Sequence, residues 1–500
     1  MRYVINMKHI KKIFSVLIIL IITTIIFTNL ISCQSVNDDS SEISDGISEP
    51  KEAAESDENT TREIKDDVPE IDFGGETFNM LIAGQTWATA NMLREEITGE
   101  IVNDAQYLLK SKIEERFNVI LQETATDDIW STKFISSMIS SGDETYDVYF
   151  PLDLYILGYA QQKMIYNWKD LVYINLSKPY WDSNMNKNLT INNNTYFAFG
   201  AYDLSYYDLT HVLVFNKDMI WNYGLEMPYN LVESGKWTVD KFREMAKKAT
   251  FDVNGDGEMK KEDSYGMISV PKQVLPCFWI AAGELSIAKD AADYPYFNVP
   301  GNSKFYSVIE KLFEIMWDDN IWCRNKEIIN FWPESVKMFS ENRALFTSQT
   351  FYYLTEFRSI DADFGIVPYP KFTEDQERYY SRVEGGCKLA IVPITNQSPD
   401  KAGTILEAMA CESYKTVIPQ YYEVALKRKN SRDAESEKML DLIFATRVYD
   451  LGDSWWCTEL RRDIFADMFT KNERNLVSKM EEFEPKMNSL IEDAIRGFGD

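Results

Sequence analysis

Residues 78–83, Phe78-Asn79-Met80-Leu81-Ile82-Ala83, make an apolar run that stops at Gly84. A run of that length suits a buried strand, and the glycine ends it in a loop. Val102, Ala105, Leu108, Leu109, Ile113 and Phe117 then recur at helical spacing. Val119-Ile120-Leu121 reads as a second strand, Phe134, Met138 and Ile139 as a second helix, and Tyr146–Phe150 as a third strand closed by Pro151. Strand, helix, strand, helix, strand in that order predicts a parallel sheet. Loops at the C-terminal ends of such strands form the usual binding edge.

Toward the C-terminus, Val212–Lys217 reads as a further strand. Thr238 is placed to cap a helix whose apolar face is Val239, Phe242, Met245, Ala246 and Ala249. Trp237 and Phe242 occupy the two positions of a hydrophobic staple around that cap. Phe364–Pro368 and Lys388–Val392 read as strands, and helical patterns run from Pro399 onward. No internal repeat is visible.

Toward the N-terminus, Arg2, Lys8, Lys11 and Lys12 precede an apolar stretch from Ile13 to Ile31, which ends in Leu30-Ile31-Ser32-Cys33. A basic start, an apolar middle and a small residue before the cut describe a secretory signal. The apolar stretch is close to membrane-spanning length, so a retained anchor helix is the alternative. The Leu-Ile-Ser-Cys tetrad resembles a bacterial lipobox, whose cysteine is acylated and becomes the new N-terminus. Residues 1–32 are then a signal peptide, and lipid (palmitate) on Cys33 holds the chain at the outer face of the cell membrane. Residues 33–70 are rich in Ser, Asp and Glu, cannot bury a core, and are expected to be a disordered acidic tether.

The chain carries a formal charge of −27, and residues 1–32 contribute four basic residues and no acidic ones, so cleavage leaves −31. That field repels nucleic acid and anionic lipid headgroups. Aromatic residues make up 14%, enough to supply both a core and a surface that stacks on flat ligand faces. After Cys33 the cysteines are Cys277, Cys323, Cys387, Cys411 and Cys457, odd in number and widely spaced. This is neither a disulfide scaffold nor a zinc site. His211 is the one histidine after residue 33, which nearly excludes a histidine-based metal site.

One loop has the spacing of a calcium site. Asp252, Asn254 and Asp256 alternate, Gly257 sits at the sixth place, Glu258 can offer its backbone carbonyl at the seventh, and Asp263 stands at the twelfth. Calcium takes six to eight oxygens, and alternation turns three side-chain oxygens to one side. Lys260 and Lys261 oppose a cation here. The alternative is an Asp/Asn/Gly turn closed by side-chain-to-backbone bonds. A bound ion would be structural.

In order along residues 72–500, several segments resemble the extracellular solute-binding proteins of family 1, the binding subunits of ABC importers for sugars. They are Tyr146–Phe150 with Leu157-Gly158-Tyr159-Ala160, Phe215-Asn216-Lys217-Asp218 with Gly224-Leu225, Pro228 and Trp237-Thr238, Ala344-Leu345-Phe346, Phe364-Gly365-Ile366-Val367-Pro368-Tyr369-Pro370, and Gly385-Gly386 before Leu389–Val392. The resemblance implies an α/β, two-lobed periplasmic-binding-protein-like fold of type II, with a ligand cleft between lobes joined by crossing strands. It implies that 72–210 plus 385–445 form the first lobe and 211–384 plus 446–500 the second.

The same resemblance puts ligand-binding residues at strand ends: Trp87, Asp153, Tyr202, Asp208, Tyr352, Trp455 and Trp456, with Asp203 and Glu384 as further candidates. Stacking rings and planar hydrogen-bonding groups are what a sugar needs. The implied partners are a carbohydrate ligand and the membrane subunits of an ABC permease. The implied state is a monomer without catalysis. Two other readings use the same residues: a sugar-sensing or adhesion lipoprotein without a permease, and a glycoside-active enzyme, which would require paired carboxylates at a catalytic separation.

Overall fold

The computed structural model describes residues 64–499 apart from 85–86, 90, 325–330 and 424–432. Cys33, the signal segment and the tether up to residue 63 lie outside the described residues. Among those described, no helix is long and apolar enough to cross a membrane.

The first half builds a parallel sheet from β1 (Glu76–Ala83), α1 (Ile101–Phe117), β2 (Val119–Thr126), α2 (Lys133–Ser140), β3 (Val148–Phe150) and α3 (Asp153–Gln161). The strand order is β2-β1-β3, and β1 is central, paired in parallel to both neighbours. Its last four residues are all buried, as expected of a strand covered on both faces. In α1 the buried apolar positions are Val102, Ala105, Leu109, Ile113 and Phe117, and Asn118 ends the helix in the left-handed region. Leu108 belongs to the opposite face and is 48% exposed. The expected strand at 388–392 is realised as two antiparallel bridges, Tyr149 to Ile391 and Leu152 to Lys388, which lay this segment along β3.

The second sheet takes β4 (His211–Asn216), β5 (Tyr265–Ile268), β6 (Ala344–Thr350) and β7 (Phe364–Val367), in the order β5-β6-β4-β7. Helix α4 (Val239–Lys248) begins at Thr238, whose Oγ1 accepts the Lys241 N–H, and Trp237 meets Phe242 across that cap with ring centroids 6.4 Å apart. Helix α5 (Pro271–Ala281) is buried along most of its length, including Trp279, whose Nε1 donates to Asp450. Three backbone segments run side by side between the sheets. Thr210 bridges Val383, Glu384 N–H donates to Leu209 O, and β8 (Ser381–Arg382) pairs in parallel with β9 (Arg447–Val448). This is the two-lobed α/β plan with crossing strands.

Three boundaries differ from the sequence reading. Residues 64–70 are tied to the first sheet: Arg116 donates twice to Asp66 (2.8 and 2.9 Å), Lys178 donates to Asp67 (2.7 Å), and Val68 is buried. Composition concealed two apolar residues, Ile64 and Val68, and two paired acids. Helix 434–445 packs on the second sheet through Asp433, which pairs with Lys217, and Ser436, which accepts from Ile366 N–H. The C-terminal helix (Leu476–Phe498) returns to the first half, where Gly497 lies so close to Gln161 that a Cβ would meet its Cα at 2.7 Å. A division at residue 445 is therefore crossed in both directions. The five cysteines among the described residues are all free and buried.

Candidate cleft between the lobes

A cavity of about 190 Å³ opens where the crossing segments meet the two sheets. Trp87 and Leu154 line it from beyond the C-terminal ends of β1 and β3. Lys272 and Gln273 come from the first turn of α5, Thr350 from the end of β6, and Tyr353 from the turn after it. Glu384 and Gly385 come from the crossing segment that continues from β8, and Arg461 and Arg462 from a π-helix at Cys457–Ala466. Widened helical turns of this kind recur at functional sites.

Glycine lets the crossing segment pass the tryptophan. Gly386 has φ +119°, and a Cβ there would lie 2.9 Å from Trp87 Nε1. Trp130 backs Trp87 from the other side at 5.3 Å between ring centroids. One face of Trp87 is thereby fixed. Thr350 stands opposite His211 in the antiparallel pairing of β4 and β6, which brings the end of one strand and the start of the other to the same edge.

The cavity floor is a buried ionic network. Arg382 donates to Asp453 through Nε (2.6 Å) and Nη2 (3.2 Å), and Arg461 Nη1 donates to both Glu384 and Asp453 at 3.2 Å. His211 Nε2 lies 2.8 Å from Glu384 Oε2 and 2.7 Å from Arg382 Nη1. Burial alone would raise the Glu384 pKa, but Arg382, His211 and Arg461 outweigh it and hold the carboxylate well below its usual range. Three lining atoms remain buried and unpaired: Gln273 Oε1, Thr350 Oγ1 and Arg461 Nε. Buried polar atoms are nearly always satisfied, so one donor, one acceptor and one hydroxyl left open at a single cavity mark a place for a polar ligand. A larger hollow of about 610 Å³ beside residues 257–265 has no such atom on its described lining.

The residues expected from the sequence fall into three groups. Trp87 and Glu384 line the cavity; Tyr352 lies beside it, 37% exposed and edge-on to Tyr353 at 5.4 Å. Asp153, Asp203 and Asp208 are buried supports. Asp153 accepts Gly386 N–H (2.5 Å) and Tyr449 OH (2.6 Å), tying α3 to two crossing segments, and burial pushes its pKa up to about 7. Asp208 accepts Thr89 N–H at 2.6 Å and the Tyr421 hydroxyl, and burial raises it too. Asp203 pairs with Lys388 at 3.2 Å.

Tyr202, Trp455 and Trp456 point into the core. Tyr202 OH donates to Ala198 O and accepts Ala390 N–H, and Trp455 packs edge-on to Phe197 and Trp456. Sequence reasoning missed Gln273, Tyr353, Arg461 and Arg462. The last two form the only adjacent arginine pair in the chain, a signal that was available.

In the loop at 252–263, Asp252 accepts the N–H groups of Gly255 and Gly257, and the buried Asp263 accepts those of Val253 and Lys260. Lys260 Nζ reaches Asp256 at 2.7 Å and Glu258 at 3.0 Å. As folded, an ammonium group holds an Asp256 oxygen that a cation would use, and no metal-holding group of three His, Cys, Asp or Glu residues forms among the described residues.

The fold is that of the type II solute-binding proteins. No protein-family model matches the chain, and no curated protein matches its sequence. Solved structures align over most of its length. An ABC substrate-binding protein from Listeria monocytogenes in complex with cycloalternan is 11% identical, with a TM-score of 0.52, covering 83% of this chain and 99% of that one. A cyclo/maltodextrin-binding protein complexed with maltotetraose is 9% identical, with a TM-score of 0.54, covering 84% and 96%. A family 1 extracellular solute-binding protein from Bifidobacterium longum subsp. infantis is 11% identical, with a TM-score of 0.51, covering 84% and 99%.

Proposed function

We propose that this chain is the substrate-binding subunit of an ABC importer, lipid-anchored through Cys33, and that it takes an oligosaccharide in the interlobe cleft without transforming it. The observation that carries the reading is the cavity at the strand crossing. It sets the aromatic rings of Trp87 and Tyr353 among three unpaired buried polar atoms. Rings take the apolar faces of a sugar, and the open polar atoms take its hydroxyls. The folds of the cycloalternan- and maltotetraose-bound proteins support the same assignment.

A hydrolytic reading lacks a reachable nucleophile. His211 lies between Ser348 (3.3 Å) and Glu384, but Ser348 is 3% exposed and Arg382 Nη1 stands 2.7 Å from the histidine Nε2. Within the same proposal, calcium competes with the Lys260 ammonium for the 252–263 loop.

A melting screen against a glycan library tests the function. Saccharides are expected to raise the melting temperature; a rise with peptides or polyamines alone would overturn the assignment. Growth of the lipid-anchored form in radiolabelled palmitate, with label lost in Cys33→Ala, checks the anchor.

A further inference from the structure

The cleft does not share the charge of the chain. The sequence is strongly acidic at −27, yet the cavity wall presents Lys272, Arg461 and Arg462 against one acid, Glu384. Glu384 is already engaged by His211 and Arg461. Behind the wall, Asp453 balances Arg382. The floor is thus close to neutral, and the two outer cations are surplus. Neither Lys272 nor Arg462 forms an ion pair among the described residues. Arg461 is 4% exposed, and its Nε–H has no acceptor. The Lys272 pKa is lowered, first by partial desolvation of a side chain that still reaches solvent and then by repulsion from Arg462 and Arg461. Three cations that repel one another, one with an unanswered buried N–H, form a site that an anion relieves.

We propose that the ligand is an acidic saccharide, whose negative substituent is received by Lys272, Arg461 and Arg462 while a sugar ring lies on Trp87. This rests on the sugar-binding reading and narrows its substrate class. The division of labour follows from side-chain chemistry. Arginine offers a planar fork that matches a carboxylate or sulfate, and lysine adds a point charge at the rim. Gln273 Oε1 and Thr350 Oγ1 remain for neutral hydroxyls. The acidic exterior adds selectivity, because a polyanion is repelled everywhere except at this opening.

The test is calorimetric titration of the full-length folded protein with three probes of matched length: trigalacturonate, maltotriose and a sulfated chondroitin oligosaccharide. One of the two acidic probes is expected to bind at least tenfold more tightly than maltotriose, and its affinity should weaken as salt rises from 50 to 500 mM. Tight binding of trigalacturonate shows that a carboxylate suffices; tight binding of the chondroitin oligosaccharide alone, which carries uronate carboxylates too, assigns the site to sulfate. The double variant Lys272→Gln/Arg462→Gln is expected to lose roughly tenfold in affinity per cation removed. Its unliganded melting temperature should be no lower than the parent's, because both side chains are exposed and only repulsion is lost. If maltotriose binds as well as both acidic probes, with no loss in the double variant, the charge proposal is overturned and the sugar-binding reading stands. If no saccharide of either charge binds, both are overturned.

Discussion

In the proposed function, single residues divide into those that meet the ligand and those that hold the ones that do. Trp87 belongs to the first kind. Trp87→Ala is expected to weaken saccharide binding by roughly ten- to a hundredfold, the scale of a lost aromatic anchor, while moving the unliganded melt little; titration calorimetry reads it. Asp153 belongs to the second. Its folded pKa, near 7, lies above the ordinary 3.8, so the folded protein keeps a proton that the unfolded chain has released. That contribution is present below about pH 4 and is lost as pH rises toward 7. Asp153→Asn is therefore expected to flatten the decline in melting temperature between pH 5 and 7, and to keep the Gly386 N–H bond through its carbonyl. Glu384 acts in the opposite sense. Its depressed pKa stabilises the fold above about pH 4.5 and is lost on acidification, so the acid limb should survive in the Asp153 variant. A melt series across pH checks both limbs. That Asp153 would matter was legible from its place after β3. That it is buried against the crossing segments was not, because the partners that bury it, Gly386 and Tyr449, lie 233 and 296 residues away.

Elements were easier to read than sites. The alternation in the first 150 residues points to a parallel sheet because the end of β1 and all of β3 are buried on both faces, β2 keeps one face in the core, and the helices repeat every three or four positions. Thr238 and Trp237 announced a helix start through contacts only three to five residues long, and local contacts are what a sequence displays. Trp455 and Trp456 show the limit of this. A helical turn after a crossing strand can aim a ring inward or outward, and only Phe197 and Phe498, far away in sequence, decide that Trp455 turns in. Two element-scale outcomes follow. Gly386→Ala forces a side chain into a positive φ and toward Trp87. It is expected to destabilise by about 1–3 kcal/mol and to weaken binding beyond what the loss of stability explains, as chemical denaturation alongside titration would show. In the 252–263 loop, Lys260→Gln frees Asp256 and Glu258. The variant is expected to show a larger difference in melting temperature between calcium and chelator than the parent does; equal differences would remove calcium from the proposal.

At the scale of the whole molecule, the proposed ligand cavity lies where three backbone segments cross, so in that reading occupancy and lobe angle are linked. Closure about such a hinge brings the Trp87 side and the Tyr353 side together. Small-angle scattering is expected to show a smaller radius of gyration with saturating ligand than without, and no change in the Trp87→Ala variant at the same concentration. The N-terminal strap gives this motion a mechanical setting. Asp66 and Asp67 are gripped by Arg116 and Lys178, next to the start of β2. Trp87 lies past the other end of β1, a strand of eight residues or about 26 Å. A pull on the chain ahead of Ile64 would be met first by Arg116 in α1 and by Lys178, before any strand that leads to the crossing segments. If Cys33 is anchored as proposed, that grip would let a mooring line pull taut or fall slack at a distance from the hinge.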